Sequence, residues 1–415
     1  MQIDIRKSFL RACGCLVLFV VTAAAIPLCL TACATAQATS ATTTASAAPS
    51  APAMTSGTPY KLGINMLWGS GSDDEISARF ARMKSLGISE ARIDWEWRVV
   101  EEKKGQYDWS ALDRFVQLAS KNGISIFPIV HYAPNWALPT TKKPNGVYQN
   151  APSEAAFGDY ARFLAASIDR YGPGGNAPFS FTPIKYWQVW NEPNTKEFWG
   201  PKPDARTFAR MMTTVNDTLG DRRNKVSLVH AGLSKADILF MWTLWDSDPQ
   251  YGRLFDIMAV HPYFFNPQGG IRDINAMDKD KPEHAALGFV GSAEDGGYLS
   301  KVFNMQLFMT LKGTPKPIWI TEIGFMAGHR NPYAISEEAE AKIAGETLAF
   351  IRNRLTSAPF TGNSNQKLAP RVERVYWFTL DDYGFPDDTG NFGVYRMDGT
   401  PRPLADTIRG LQADR

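Results

Sequence analysis

The sequence predicts an α/β fold, a (β/α)8 barrel built as a single domain over residues 60–415. Three observations carry that prediction: eight short apolar runs, amphipathic stretches between them, and polar residues gathered where the runs stop. A strand buried on both faces reads as a short continuous apolar run, and strands alternating with helices build a parallel sheet. The runs are Lys61–Leu67, Ser89–Trp95, Ile124–Val130, Ile184–Trp190, Lys225–Ala231, Asp256–Pro262, Pro317–Ile323 and Arg374–Leu380. A doubly wound open sheet is the rival, but such a sheet more often has a glycine-rich phosphate turn after its first strand. Here "WGSGSDD" offers only a fragment of one.

The helical stretches have the expected period. In "DDEISARFARMKSLG" the apolar Ile76, Phe80, Met83 and Leu86 recur at spacings of three and four, and Gly87 supplies a stop. "WSALDRFVQLASKNG" repeats the design, with Ser110 the expected N-cap and Gly123 the expected stop. Long insertions follow the third, sixth and eighth strands, at Tyr132–Gln149, Tyr263–Gly297 and Tyr383–Tyr395. Loops after strands build the functional face of such a barrel, so function is expected there.

Residues 1–59 belong to a different kind of segment. Arg6, Lys7 and Arg11 precede the apolar "LVLFVVTAAAIPLCL", the layout of an export signal, and Leu30-Thr31-Ala32-Cys33 resembles a bacterial lipobox. Residues 1–33 are therefore expected to be a lipoprotein signal with Cys33 as the acylated mature N-terminus. Ala34 after that cysteine resembles the pattern of Gram-negative lipoproteins sent to the outer membrane, and the protein is expected to be exported and anchored there. An ordinary signal peptide or an uncleaved anchor helix is the alternative. Residues 34–59, rich in Ala, Thr, Ser and Pro, are expected to be a disordered tether.

Composition narrows the function. All four cysteines lie within the first 33 residues, so no disulfide framework or cysteine-based metal site belongs to the body. The formal charge of +2 and the lack of a basic block make nucleic acid an improbable partner. The five histidines form no HExxH motif and there is no P-loop, so neither a metal nor a cofactor is expected.

The strand ends carry the chemistry. They present Arg92 and Asp94, then His131, Asn191 with Glu192, His261 with Tyr263, Glu322, and finally Trp377 with Asp381 and Asp382. Any one of these could be a paired charge or a cap; so many at matching depth on different strands point to a site. Glu192 ends the fourth strand and Glu322 the seventh. Two carboxylates across a barrel mouth are the apparatus of glycoside hydrolysis, one protonating the leaving oxygen while the other attacks or activates water.

"WNEPN" followed by "WITEIGF" resembles glycoside hydrolase clan A, most closely family 39 with its Psl-type exopolysaccharide glycosidases. "RIDWEW…KGQYDWSALD" and "HPYF" add to the likeness, which runs through the body from Tyr60. The resemblance implies a retaining enzyme with Glu192 as general acid/base and Glu322 as nucleophile, their carboxylates roughly 5 to 5.5 Å apart. It implies that Asn191 bonds the sugar 2-hydroxyl, Tyr263 orients Glu322, and His261 lines the same subsite. Arg92 would sit beneath the nucleophile and Trp377 would be the platform under the sugar; His131 matches a polar position ending the third strand.

Twelve aromatic residues lie in or near the loops: Trp68, Trp95, Trp97, Tyr132, Trp136, Trp199, Trp242, Trp245, Phe264, Phe265, Tyr383 and Phe385. Packing is the commoner use of such rings, yet a third of them facing the cleft would line several subsites. The expected activity is an endoglycosidase acting on β-linkages of an exopolysaccharide. The expected partners are a polysaccharide or oligosaccharide substrate and the membrane through the lipid anchor, with the protein a monomer. An exo-acting β-xylosidase-like enzyme is the runner-up, and the same barrel with a dead site would be a polysaccharide-binding lipoprotein.

Overall fold

The computed structural model describes residues 60–68, 71–139, 151–263, 298–356, 371–385 and 387–413. The expected signal with Cys33, the tether, Phe264 and Phe265 lie outside the described residues, as does most of the insertion after His261. No helix among the described residues is long and apolar enough to cross a membrane.

Nine strands make one parallel sheet: β1 (Lys61–Asn65), β2 (Glu90–Glu96), β3 (Ser125–His131), β4 (Tyr186–Val189), β5 (Ser227–Val229), β6 (Leu233–Ser234), β7 (Met258–His261), β8 (Ile318–Ile323) and β9 (Val372–Trp377). Their order is β5-β4-β3-β2-β1-β9-β8-β7-β6. Bridges from Asn191 to Gly232 and from Val229 to Ile257 join the two ends of that order. β5 and β6 are two pieces of one stave, so the fold is the predicted (β/α)8 barrel with each of the eight expected runs supplying a stave. The last strand begins at Val372 and ends at Trp377, short of the expected Leu380.

The α-helices among the described residues are α1 (Asp73–Ser85), α2 (Trp97–Val100), α3 (Ser110–Lys121), α4 (Phe157–Tyr171), α5 (Ala205–Leu219), α6 (Ile238–Ser247), α7 (Tyr298–Leu311), α8 (Glu337–Phe350) and α9 (Pro403–Ala413). The stripe read in α1 is buried: Ile76, Phe80, Met83 and Leu86 are all at most 1% exposed. Ser72 begins that helix with a capping box, its side chain accepting from Glu75 N while the Glu75 carboxylate accepts from Ser72 N. At α3 the expectation fails by one residue. Ser110 is already helical and Trp109 occupies the cap, while Asp108 Oδ1 accepts from Ser110 N and does the capping work nearby.

Because strand side chains alternate, each strand feeds two cores. Outward-facing Ile93, Trp95, Val130, Trp187 and Val189 pack under the helices. Phe127, Val229, Ile257, Ala259, Trp319 and Tyr376 form a separate inner cluster. Arg374 sits between the Tyr186 and Trp319 rings, 4.3 and 4.2 Å from their centroids, and meets Glu90 together with Lys61 and Tyr376. A packed inner floor leaves only the strand ends above it free for chemistry.

Trp187 tests the outer core. It is fully buried and meets Trp95 edge-on with centroids 5.5 Å apart. Trp187→Ala is expected to lower the urea midpoint by an amount equivalent to about 3–5 kcal/mol with an unchanged m-value; a loss under about 1 kcal/mol would contradict this packing.

Candidate active site

The stretch "WNEPN" turns a strand into a platform. β4 stops at Val189, and the next residues alternate in hand: Trp190 has φ 65° and Glu192 φ 36°. Side chains at positive φ cost energy, so the surroundings must hold them. Trp190 N donates to Val130 O at 3.0 Å, and its ring packs against Trp199 and Tyr160. Glu192 N donates to Gly232 O at 3.1 Å. Asn194 then exchanges bonds with Ser234, Nδ2 to its carbonyl at 2.9 Å and Oδ1 from its N–H at 3.0 Å.

Glu192 and Glu322 face each other as expected. One oxygen of each and a ring nitrogen of His261 all lie within 4.8 Å of one another. Both oxygens of Glu322 are held: Arg92 Nη1 donates to Oε1 at 2.7 Å and the Tyr263 hydroxyl to Oε2 at 3.0 Å. Glu192 Oε1 lies 2.8 Å from His261 Nδ1, while His261 Nε2 lies 2.9 Å from Thr321 Oγ1 and 3.6 Å from Glu322 Oε1. The imidazole thus stands between the two acids.

Two local devices make this possible. A regular strand would turn Thr321 and Glu322 to opposite faces, but the pairing of β8 with β9 shifts between Ile320 and Ile323, and both side chains reach the mouth. On the other side, a Cβ on Gly232 would lie 2.0 Å from His261 Nε2, so only glycine admits the ring there.

Arg92 is buried and fully engaged. Besides Glu322 it donates to Asn65 Oδ1 at 2.6 Å, Gln188 Oε1 at 3.0 Å and Asn191 Oδ1 at 3.1 Å. Asn65 and Gln188 were not read from the sequence as site residues. Neither carries charge, and each ends or nearly ends an apolar run, which is the one signal that could have found them.

Trp377 requires a correction. It is fully buried in the helix-facing core, with its ring against Phe325, so it offers no platform to a sugar. Strand parity is the reason: Tyr376 points inward, Trp377 outward, and the next inward residue is Phe378. Phe378 is half-buried and meets Tyr263 edge-on at 6.2 Å, Phe392 at 5.6 Å and Tyr383 at 6.0 Å. It thus stands beside Tyr263, whose hydroxyl bonds Glu322. Asp381 and Asp382 also serve elsewhere, the first paired with Arg82 at 2.6 Å and the second with Arg402 at 2.7 Å.

His131 is only 1% exposed and its Nε2 bonds Asp94 Oδ1 at 2.8 Å. Of the loop aromatics, Trp68, Trp95, Trp97, Trp199, Trp245 and Phe385 are buried, and Trp242 stands exposed on helix α6. Tyr132, Trp136 and Tyr383 are half-buried, as is Phe198, whose ring lies nearly parallel to Tyr132.

Glu192, His261 and Glu322 are also the one acid and imidazole set among the described residues close enough to share a cation. Arg92 already gives Glu322 a positive charge and both His261 nitrogens have partners, so the set is complete as it stands.

The two acids differ in surroundings. Burial raises the Glu192 carboxyl above the ordinary carboxylate value; Glu322 pushes the same way, and the His261 contact opposes without prevailing.

Residues 68–162 match the glycoside hydrolase family 42 profile, described as beta-galactosidase. No curated protein matches the chain. Among solved structures, a family 39 glycoside hydrolase from the gut symbiont Bacteroides cellulosilyticus WH2 aligns with a TM-score of 0.60 at 20% identity, covering 86% of this chain and 64% of that one. This chain therefore spans just under two thirds of that relative. A GH5_18 protein from Streptomyces cattleya, in complex with GlcNAc, aligns with a TM-score of 0.56 at 16% identity over 87% of this chain and 81% of that one. A beta-galactosidase from the psychrophilic Marinomonas ef1 gives 0.54 at 15%, over 85% and 59%. The chain is thus similar to clan A glycoside hydrolases, most like family 39, and shares their barrel.

A raised Glu192 has a sign that can be checked. Its protonated form is the one the fold favours, so that contribution is intact below the unfolded value of 4.5 and is lost as pH rises through the higher folded value. Glu192→Gln is therefore expected to melt above the unmodified protein near neutral pH, the gap closing by about pH 4. A gap that instead widened on acidification would reverse the assignment. Gly232→Ala should displace His261 and cost about 10²-fold in kcat/KM; unchanged activity would show that the ring is not needed where it stands.

Proposed function

We propose that the protein is a retaining glycoside hydrolase, with Glu192 as acid/base and Glu322 as nucleophile. The observation that carries the reading is the pair itself: two carboxylates within 4.8 Å, one raised by burial and the other clasped by Arg92 and Tyr263. A spacing that short suits direct attack and leaves no room for the water an inverting mechanism places between acid and sugar.

In the first step Glu192 gives its proton to the glycosidic oxygen while Glu322 attacks the anomeric carbon. Arg92 and Tyr263 fix both Glu322 oxygens, so attack requires little reorganisation. Once Glu322 is esterified, the negative charge that helped keep Glu192 protonated is gone. Glu192 can then take a proton from water, which attacks the same anomeric carbon and restores its configuration. Asn191, held by Arg92 through its Oδ1, keeps its amide N–H groups for the sugar 2-hydroxyl.

The finer reading is an endoglycosidase on β-linkages of an exopolysaccharide. Half-buried Tyr132, Phe198, Phe378 and Tyr383, carried by the segments after β3, β4 and β9, support contact with more than one sugar ring. Export and acylation at Cys33 belong to the same proposal, since an anchored enzyme suits a polymer at the cell envelope. Mass spectrometry of the mature N-terminus checks that part: a diacylated Cys33 is expected, and an unmodified one contradicts it.

The activity test is proton NMR of the first-formed product from a panel of β-linked polysaccharides, with size profiling of the fragments. Retained β-configuration and a ladder of oligosaccharides are expected. Glu322→Gln should lower turnover by about 10³-fold or more. An α-configured first product would contradict the retaining mechanism, and monosaccharide alone would contradict endo action.

A further inference from the structure

The inward face of β2 is a ladder of charge: Glu90, Arg92, Asp94 and Glu96 alternate with the outward Ala91, Ile93 and Trp95. Three of the four rungs are buried and matched. Glu90 meets Arg374, Lys61 and Tyr376 on the floor, Arg92 holds Glu322, and Glu96 Oε2 accepts from Arg98 Nε at 2.9 Å.

Asp94 differs. Its side chain is 36% exposed, and its one hydrogen bond among the described residues runs from His131 Nε2 to Oδ1. Its Oδ2 accepts none from the described residues. It stands two residues beyond Arg92, about 7 Å nearer the mouth, directly above the group that clasps Glu322.

His131 is built to hold Asp94 and cannot reach a ligand. Its ring lies against Tyr132 with centroids 3.5 Å apart and a 24° tilt, and Phe198 lies nearly parallel to it at 6.2 Å. Its Nδ1 has no partner among the described residues, and its Nε2 bonds Asp94. Arg98 lies 4.7 Å above the Tyr132 ring. Burial resists charge on Asp94, but His131, Arg92 and Arg98 outweigh it and hold the carboxyl below its ordinary value.

Resting on the glycosidase reading above, we propose that Asp94 is a sugar-binding residue that selects a neutral or amino-bearing glycone and rejects hexuronates, with His131 as its positioning residue. A carboxylate with one oxygen fixed and the other open accepts hydrogen bonds from sugar hydroxyls or an ammonium group and repels a second carboxylate.

The test uses the full chain carrying Glu322→Gln, titrated calorimetrically with neutral β-linked oligosaccharides and with their hexuronate counterparts. Neutral ligands should bind at least about 10-fold more tightly, and adding Asp94→Asn should cost them about 10-fold or more while shrinking that preference to within about threefold. In the otherwise unmodified enzyme, His131→Gln, whose amide can still donate to Asp94, should retain more affinity than His131→Phe. Thermal melting of each variant separates lost binding from lost folding. If Glu322→Gln binds sugars and Asp94→Asn changes neither affinity nor preference, the role of Asp94 is overturned while the glycosidase reading stands. If Glu322→Gln binds no sugar and the unmodified protein cleaves none, the glycosidase reading falls and the role of Asp94 falls with it.

Discussion

A single guanidinium organises the mouth of this barrel. Arg92, buried at the end of β2, reaches Asn65 of β1, Gln188 of β4, Asn191 beyond β4 and Glu322 of β8. An arginine taken out of water needs its donors satisfied, and its planar fork satisfies them in fixed directions. Asn65 passes the constraint on, donating to the Thr321 and Trp377 carbonyls at 3.1 and 3.2 Å. Strands that do not adjoin Arg92 are thereby locked to it. Removing one partner would leave a buried polar group orphaned, so the network holds as a unit.

On that fixed base stands an asymmetric pair of acids. Glu322 has a cation and a phenol at its two oxygens; Glu192 has burial, an imidazole and the proximity of the other acid. In the proposed mechanism such an environment would separate proton donor from nucleophile in two chemically identical side chains. His261 belongs to both halves, and it fits because Gly232 has no side chain and because β8 is irregular where Thr321 and Glu322 follow one another.

Much of this was legible in the sequence. Apolar runs alternating with amphipathic stretches located the eight staves, and the polar residues at six of their ends pointed to Glu192 and Glu322. Parity defeated the reading at the eighth stave: Trp377 and Phe378 are adjacent aromatics, and the regular alternation of β9 turns Trp377 outward with Val375 while Tyr376 faces in. Neutral residues were missed for another reason. Asn65, Gln188 and Thr321 matter through partners dozens to hundreds of residues away in the chain, and no local pattern marks them. His131 was found, but as a ligand contact, whereas the fold buries it behind Asp94.

The claim on which the account turns is that the fold itself, before any sugar binds, holds Glu192 as the acid. Carbon-13 NMR titration of glutamate side-chain carboxyls, with Glu192→Gln used to assign the resonance, measures this without a substrate. The account predicts that the Glu192 carboxyl titrates above the ordinary glutamate value of 4.5. It also predicts that the midpoint falls when Glu322 is replaced by glutamine, since one of the two influences raising it is then removed. A Glu192 midpoint at or below the ordinary value would contradict the assignment of acid and nucleophile.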